Sequence, residues 1–355
     1  MSELRTYRAI GLMSGTSLDG LDIAYCTFYC GSSWSFELHH AATIPYDEEW
    51  RKRLREAHTL SGRELAQLNV DLGAQHGKWV ADFIERYEAK VDFIASHGHT
   101  VFHQPDAGLT LQIGSPAHIV AEAGCDVIAD FRTTDVARGG QGAPLVPIGD
   151  VLLFETYPIC LNLGGIANMS VKDGMGIKAF DIGLCNMALN HVAEQMGLTY
   201  DRDGALAREG QVNEALLNDL NALEFFHLSA PKSLGKEFWL TEFLPSVERA
   251  QLNDCDLLRT LVEHIAVQIG RSLSSYASCN VLATGGGAHN SFLVERIQAH
   301  THHTLVVPEK GIVDFKEALI FAFLGALRLD GKSNSLSTVT GVLRDSVGGA
   351  VYSAR

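Results

Sequence analysis

The chain of 355 residues has no apolar run approaching the roughly 18 residues of a membrane span. Its N-terminus, MSELRTYRAIGLMSGTS, has no apolar secretory core. Basic clusters are also missing. Asp and Glu number 42 against 28 Lys and Arg, a formal charge of −14, which makes for a poor nucleic-acid binder. An anion held by such a chain must lean on backbone N–H groups and a metal. The seven cysteines (Cys26, Cys30, Cys125, Cys160, Cys185, Cys255 and Cys279) are scattered, odd in number and without a CxxC pair. They give no disulfide framework, so the cytoplasm is the expected setting. There is no low-complexity linker. Hydrophobic residues at 46% and charged residues at 20% are those of a globular protein. At about 150 residues per domain, the length predicts about two domains.

What is present is a weak internal repeat. Ala9–Met13 reads as a strand, followed by the small-residue turn Ser14-Gly15-Thr16-Ser17-Leu18-Asp19-Gly20 and a second strand, Leu21–Phe28. The pattern returns as Ile159–Leu163, Gly164-Gly165-Ile166-Ala167 and Asn168–Val171. Apolar runs around a short Gly-bearing turn read as hairpins, so each half is expected to open with one. Ser61–Lys90 reads as a helix with a capping box at Ser61 and Glu64. Val91–Ser96 and Asp126–Phe131 read as strands, and 134–150, with Gly139, Gly140, Gly142, Pro144 and Pro147, as a loop or hinge. Further on come a strand end at Lys178–Asp181 and a helix capped by Asn186. Beyond them lie a helix over Leu257–Tyr276, a strand at Asn280–Ala283 and an apolar helix over Phe315–Leu327. Alternating strands and helices indicate α/β architecture.

Several segments bear chemistry. Short side chains in Ser14–Gly20 let backbone N–H groups and hydroxyls approach an anion, although a plain hairpin turn reads the same way. No Gly-Lys-Ser/Thr is present, so this is not a Walker loop. Thr284-Gly285-Gly286-Gly287-Ala288-His289-Asn290 joins a strand to a helix. It suits either a flat ligand lying on bare backbone or tight strand–helix packing. Asp181, at an expected strand end, suits a general base or a turn. Glu317 interrupts an apolar helix and would ordinarily sit on its solvated face. His97, His99 and His103 match no zinc spacing, which favours a polar sugar-binding loop. Asp130-Phe131-Arg132 offers an Arg that can fork onto a carboxylate, or a structural ion pair. Cys185 reads as a small buried thiol.

Taken together, these residues resemble the anhydro-N-acetylmuramic acid kinase family. The resemblance is carried by Gly11-Leu-Met-Ser-Gly-Thr-Ser-Leu-Asp-Gly-Leu-Asp22, Ser96-His-Gly-His-Thr100, Leu111-Gln-Ile-Gly114, Ala129-Asp-Phe-Arg132, Gly139-Gly-Gln-Gly-Ala-Pro-Leu-Val-Pro147, Asn162-Leu-Gly-Gly-Ile-Ala-Asn168 and Thr284-Gly-Gly-Gly-Ala-His-Asn290. It covers nearly the whole chain. Two stretches depart from the family pattern. Where the family usually has Asp-Thr-Gly-Pro-Gly-Asn, this chain has Asp181-Ile-Gly-Leu-Cys-Asn186, and where His-Gly-Gln-Thr is common it has His97-Gly98-His99-Thr100.

The resemblance implies the two-domain α/β fold of actin, hexokinase and the heat-shock ATPases, with a central nucleotide cleft. The expected division is 1–133 plus 331–355 against 134–330. It implies that ATP, with Mg²⁺, and water convert 1,6-anhydro-N-acetylmuramic acid to N-acetylmuramic acid 6-phosphate in peptidoglycan recycling. A homodimer is also suggested. Asp181 would activate water, and Glu317 takes the family's second acidic position. ATP would meet Ser14, Gly15, Thr16, Ser17, Leu18, Asp19, Gly20, Leu21 and Asp22, together with Gly164, Gly165, Asn168, Gly285, Gly286, Gly287 and Asn290. The sugar would meet His97, His99, Gln112, Asp130, Arg132, Gln141 and Asn186. No dedicated metal site and no nucleic-acid or membrane partner is expected. The rivals are a kinase of another sugar, with Asp181 deprotonating its hydroxyl, and a non-catalytic nucleotide-switched binding protein.

Overall fold

The computed structural model describes residues 5–15, 17–174 and 176–355. Thr16, expected to meet ATP, therefore lies outside the described residues. The chain forms two compact units, one running up to Glu155 and resuming at Phe315–Arg355, the other spanning Thr156–Asp314.

The first unit is built on β1 (Arg5–Ser14), β2 (Gly20–Cys30), β3 (Trp34–Pro45), β4 (Phe93–Gln104), β5 (Leu109–Ile113) and β6 (Val127–Ala129). Its strands run β3-β2-β1-β4-β6, with Ala350–Tyr352 at the far edge and β5 on β4. β1, β2 and β3 form an antiparallel meander, and β4 and β6 continue it in parallel. The second unit repeats the plan with β7 (Ile159–Leu163), β8 (Ile166–Asp173), β9 (Gly176–Leu184), β10 (Asn280–Thr284) and β11 (Thr304–Val306), in the order β9-β8-β7-β10-β11. Again a meander is extended by parallel strands. The repeat read in the sequence thus reaches beyond the hairpins to five strands in each unit.

Each sheet has its own core. In the first, Ile10, Leu12, Ile23 and Ile94 pack with Leu68, Leu72 and Val80 of the helix Gly62–Arg86. That helix starts at the expected capping box, where Ser61 and Glu64 satisfy each other's backbone N–H groups, a device worth about 1 kcal/mol. In the second, Leu161, Leu163 and Ile182 pack with Leu258, Val262 and Ile269 of the helix Asp254–Leu273.

The units divide elsewhere than at 133 and 331, since 134–155 and 315–330 lie in the first unit. The reason is close packing that a local reading of sequence cannot show. The helix Lys310–Leu329 presses so tightly on β1 that a Cβ on Gly11 would fall 1.8 Å from the Ala318 carbonyl oxygen. Gly149 meets Ile320, Phe154 packs edge-on to Phe36, and Lys316 forms a buried ion pair with Asp150 at 2.6 Å. Breaking one side of such a pair costs about 3–5 kcal/mol.

The expected loop at 134–150 is partly helical, with Thr133–Ala137 and Pro147–Leu153 flanking the glycines. The buried Asp135 carboxylate accepts from the N–H of Gly142 and the hydroxyls of Ser335 and Thr340, each at 2.8 Å. Gln141 N–H donates to Thr340 O. The glycine segment is therefore pinned within its own unit.

Candidate functional site

The first turn, after β1, is backed by polar groups. Ser14 is only 2% exposed. Its hydroxyl meets Tyr46 Oη at 2.8 Å and His99 Nδ1 at 3.1 Å, so both its contacts lie inside the unit. Ser17 and Asp19 are exposed and Leu18 is half-buried. Leu18 adopts φ 61°, and its N–H closes the turn on Gly15 O. A Cβ on Gly15 would meet nothing nearer than Ser17 Oγ at 3.5 Å, which leaves bare backbone on that side. In β2, Gly20 and Leu21 are buried, and Asp22 accepts from Thr43 Oγ1 at 2.5 Å.

His97, His99 and His103 lie in β4 rather than in a loop. Strand pairing carries through His99 to Gln104 because β5 returns antiparallel on it. His97 is buried with both ring nitrogens used. Nδ1 donates to Gly98 O at 2.9 Å, and Nε2 accepts from Arg132 Nε at 3.0 Å. Burial, with Arg132 beside it, holds the imidazole neutral and its pKa well below the ordinary value. Both ring nitrogens are thus spent within the unit, one of them on Arg132. The Arg132 Nη1 donates to Gly142 O at 2.9 Å, and Asp135 pins Gly142 in turn. Burial lowers the guanidinium to about 10, against the pull of Glu317.

Glu317 is exposed yet crowded by protein. Withdrawal from bulk water raises its carboxyl pKa, with Asp22 adding to the rise and Arg132 and Lys316 opposing it. Gln112 donates to Thr100 and Thr110, while Asp130 and Gln141 are exposed. Asp130 holds φ 64°, a left-handed conformation unusual for Asp, and so turns the chain from β6 toward Arg132.

In the second unit, Asp181 sits within β9, three residues before its end, and not at a strand end. Asn168 pairs with Asp181 and Ala167 with Gly183, so Ile182 is the extra residue of a bulge. Bulges re-aim a side chain beside them. The Asp181 N–H donates to Lys232 O at 2.9 Å, and its Oδ2 accepts from Leu234 N–H at 2.8 Å. Burial raises its pKa, and the Leu234 N–H opposes the rise. A partly buried carboxylate with one oxygen anchored is suited to accept a proton at the other.

The turn Gly164-Gly165 follows β7. Its carbonyls accept the N–H groups of Cys185, Asn186 and Met187 at the start of the helix Asn186–Gln195. Asn186 is thus the first helical residue rather than the cap. Its Nδ2 donates to Leu163 O at 2.9 Å, which ties the helix to β7. Gly285, with φ 83°, admits no side chain, because a Cβ there would meet Asn162 Oδ1 at 2.5 Å. Gly287 packs as closely on Leu163, and Gly286 has more room. Asn290 caps the helix Ser291–Ala299 through Oδ1. Cys185 is fully buried, its thiol pushed up to about 12 by burial.

The family described as anhydro-N-acetylmuramic acid kinase matches residues 7–354. The chain belongs to that family. Among curated members, the anhydro-N-acetylmuramic acid kinase of Hydrogenovibrio crunogenus is 35% identical, covering 97% of each chain. That of Aliivibrio fischeri is 36% identical over 97% of this chain and 99% of its own. A solved activator of 2-hydroxyisocaproyl-CoA dehydratase from Clostridium difficile, with bound ADPNP, is 12% identical, with a TM-score of 0.45 over 91% of this chain and 97% of that one.

Sequence reasoning passed over Tyr46, His76, Asp135 and Asp150. Each acts through a partner distant in sequence, so no local pattern marks it. The one available signal was compositional: an Asp within the otherwise apolar run Pro147–Leu153.

Proposed function

We propose that this chain is an ATP-dependent kinase of 1,6-anhydro-N-acetylmuramic acid that opens the anhydro bridge with water and phosphorylates O6. The observation that carries the reading is the family match over residues 7–354, in a chain whose Asp181 carboxylate has one anchored oxygen and a raised pKa.

Asp181 takes a proton from water as the water oxygen bonds to the anomeric carbon. The C1–O6 bond breaks, O6 attacks the γ-phosphorus of ATP, and ADP leaves. One proton is released overall, and attack opposite the bridge inverts C1. A positioned base of this kind contributes about 10²–10⁴-fold. Arg132, held by His97 and Gly142, meets an anionic or hydroxyl group of the sugar, and the backbone N–H groups of Gly15, Gly164 and Gly165 meet phosphate. Mg²⁺ would be carried mainly by ATP oxygens. When bound, it neutralises charge on the transferring phosphoryl group. Making N-acetylmuramic acid 6-phosphate would serve peptidoglycan recycling, and the scattered cysteines without a disulfide framework support a cytoplasmic setting. Among the described residues, no helix is long and apolar enough to cross a membrane.

Turnover in ¹⁸O-water tests the reading. The expected product carries label on the anomeric carbon and none on the transferred phosphoryl group, and it appears first as a single inverted anomer. A phosphorylated sugar with its bridge intact would overturn it.

A further inference from the structure

Four side chains from distant parts of the first unit meet behind the first turn. Tyr46 Oη lies 2.8 Å from Ser14 Oγ and 2.9 Å from His76 Nε2, and Ser14 Oγ lies 3.1 Å from His99 Nδ1. All four are nearly or fully buried: His76 0%, Tyr46 1%, Ser14 2% and His99 4% exposed. Neither imidazole is charged at neutral pH, because burial lowers His76 to about 3, with His99 contributing, and lowers His99 to about 4.

Proton counting then restricts the chain. Three contacts need three protons, and the Tyr and Ser hydroxyls supply two. One imidazole alone must turn an N–H toward the chain. If it were His99, the His76 proton would sit on Nδ1. That atom is buried, has no hydrogen-bond partner and lies 3.6 Å from where a Cβ on Gly114 would sit. An orphaned buried N–H is rarer and costlier than an orphaned lone pair. The favourable order therefore runs from His76 Nε2–H to Tyr46, from the Tyr46 hydroxyl to Ser14, and from the Ser14 hydroxyl to His99 Nδ1. It leaves the His99 proton on Nε2, which no described residue bonds.

We infer that His76, Tyr46 and Ser14 are positioning residues that lock His99 as a neutral Nε2–H donor, offered to an oxygen acceptor of the ligand bound at the first turn. The acceptor is a sugar or phosphoryl oxygen, and that part rests on the kinase reading. The locked tautomer rests on the buried chain alone.

Ring ¹⁵N spectra of the full-length chain, selectively labelled at histidine, test the tautomer without any substitution. The expected spectrum shows Nε2 protonated and Nδ1 bare for both His76 and His99. A His99 protonated on Nδ1 overturns the proposal whatever reaction the protein performs. A double-mutant cycle tests the consequence. Tyr46→Phe breaks the chain at its centre and is expected to lower kcat/KM for the anhydro-sugar or for ATP about tenfold, a loss of about 1.4 kcal/mol. The substrate affected identifies the acceptor. His99→Gln carries an amide donor near the Nε2 position that needs no relay. In that background, whatever its own rate, Tyr46→Phe should change kcat/KM no further. An equal loss in both backgrounds would make Tyr46 merely structural and overturn the proposal. Should Tyr46→Phe fail to fold, the ¹⁵N spectra of the unsubstituted chain decide alone. If the ¹⁸O-water experiment fails while His99 stays protonated on Nε2, the kinase reading falls and the relay stands.

Discussion

The two units repeat one sheet plan but hold their acidic residues by different means. Asp181 lies beside a strand bulge, with its backbone N–H and one carboxylate oxygen both bonded to the segment 232–234. Glu317 projects from a helix. Among the described residues no hydrogen bond fixes it, and only the charges of Arg132, Asp22 and Lys316 act on it. A carboxylate fixed by backbone geometry can receive a proton from one direction. A carboxylate held by a field responds to charge from many directions. On this difference we propose that Asp181 abstracts the proton and that Glu317 balances charge around Arg132.

Substitution at these two positions gives the largest expected effect. Asp181→Asn keeps shape and removes the base, so kcat should fall at least about 10²-fold while sugar binding persists. Glu317→Gln should cost about tenfold in kcat/KM, on the scale of one lost charge interaction. In the wild type, kcat should decline on acidification from a point above the ordinary Asp range, because burial raises Asp181 and it acts ionised. Near-normal turnover by Asp181→Asn removes it from the mechanism. Equal losses at both positions would show that Glu317 also performs chemistry.

The hairpins, the capping box and the strand–glycine–helix segment were legible because each is written in contiguous residues. The placement of Asp181 was not. Its bulge arises from the register of β8 against β9, and the sequence around it reads as a strand end followed by a turn. His97, His99 and His103 read as a polar loop because their spacing fits no zinc site. Pairing with β5 keeps the segment in strand, with Gly98 at φ 74°. The helix bearing Glu317 looked like part of the second unit until the contact of Gly11 with Ala318 assigned it to the first. Residues 14, 46, 76 and 99 are joined only by tertiary packing, and no spacing announces them.

Acid should separate the units next. A buried imidazole whose pKa is depressed on folding binds fewer protons folded than unfolded, so its stability contribution is lost as pH falls below about 6.5. His76, His97 and His99 behave this way in the first unit and His264 in the second. The raised carboxyls oppose them, Glu317 in the first unit and Asp181 in the second, because each takes its proton earlier in the folded chain. That leaves a net excess of about two imidazoles in the first unit. The first unit should therefore weaken more than the second as the pH falls from 6 to 5. Hydrogen exchange, corrected for intrinsic rates and compared for the helices Gly62–Arg86 and Asp254–Leu273, measures this. Equal loss in both units would remove the buried histidines as the cause.

The smallest effect concerns the turns themselves. Both glycine turns have room for a side chain: a Cβ on Gly15 meets its nearest atom at 3.5 Å and one on Gly165 at 4.0 Å. Gly15→Ala and Gly165→Val should therefore fold, and any loss reports on approach to the ligand rather than on stability. If backbone N–H groups in both turns meet phosphate, each variant should weaken ATP binding by calorimetry up to about tenfold, roughly 1.4 kcal/mol, with sugar affinity unchanged. The turns differ in how freely they can respond. Gly165 O is held by Cys185 and Met187 N–H, whereas among the described residues Gly15 O receives only the longer Leu18 contact at 3.4 Å. The first turn can shift to relieve an added methyl, and the second, anchored to a helix start, cannot. Gly165→Val should then cost more than Gly15→Ala. Unchanged ATP affinity in a folded Gly165→Val would remove the second turn from phosphate binding and leave that task to the first.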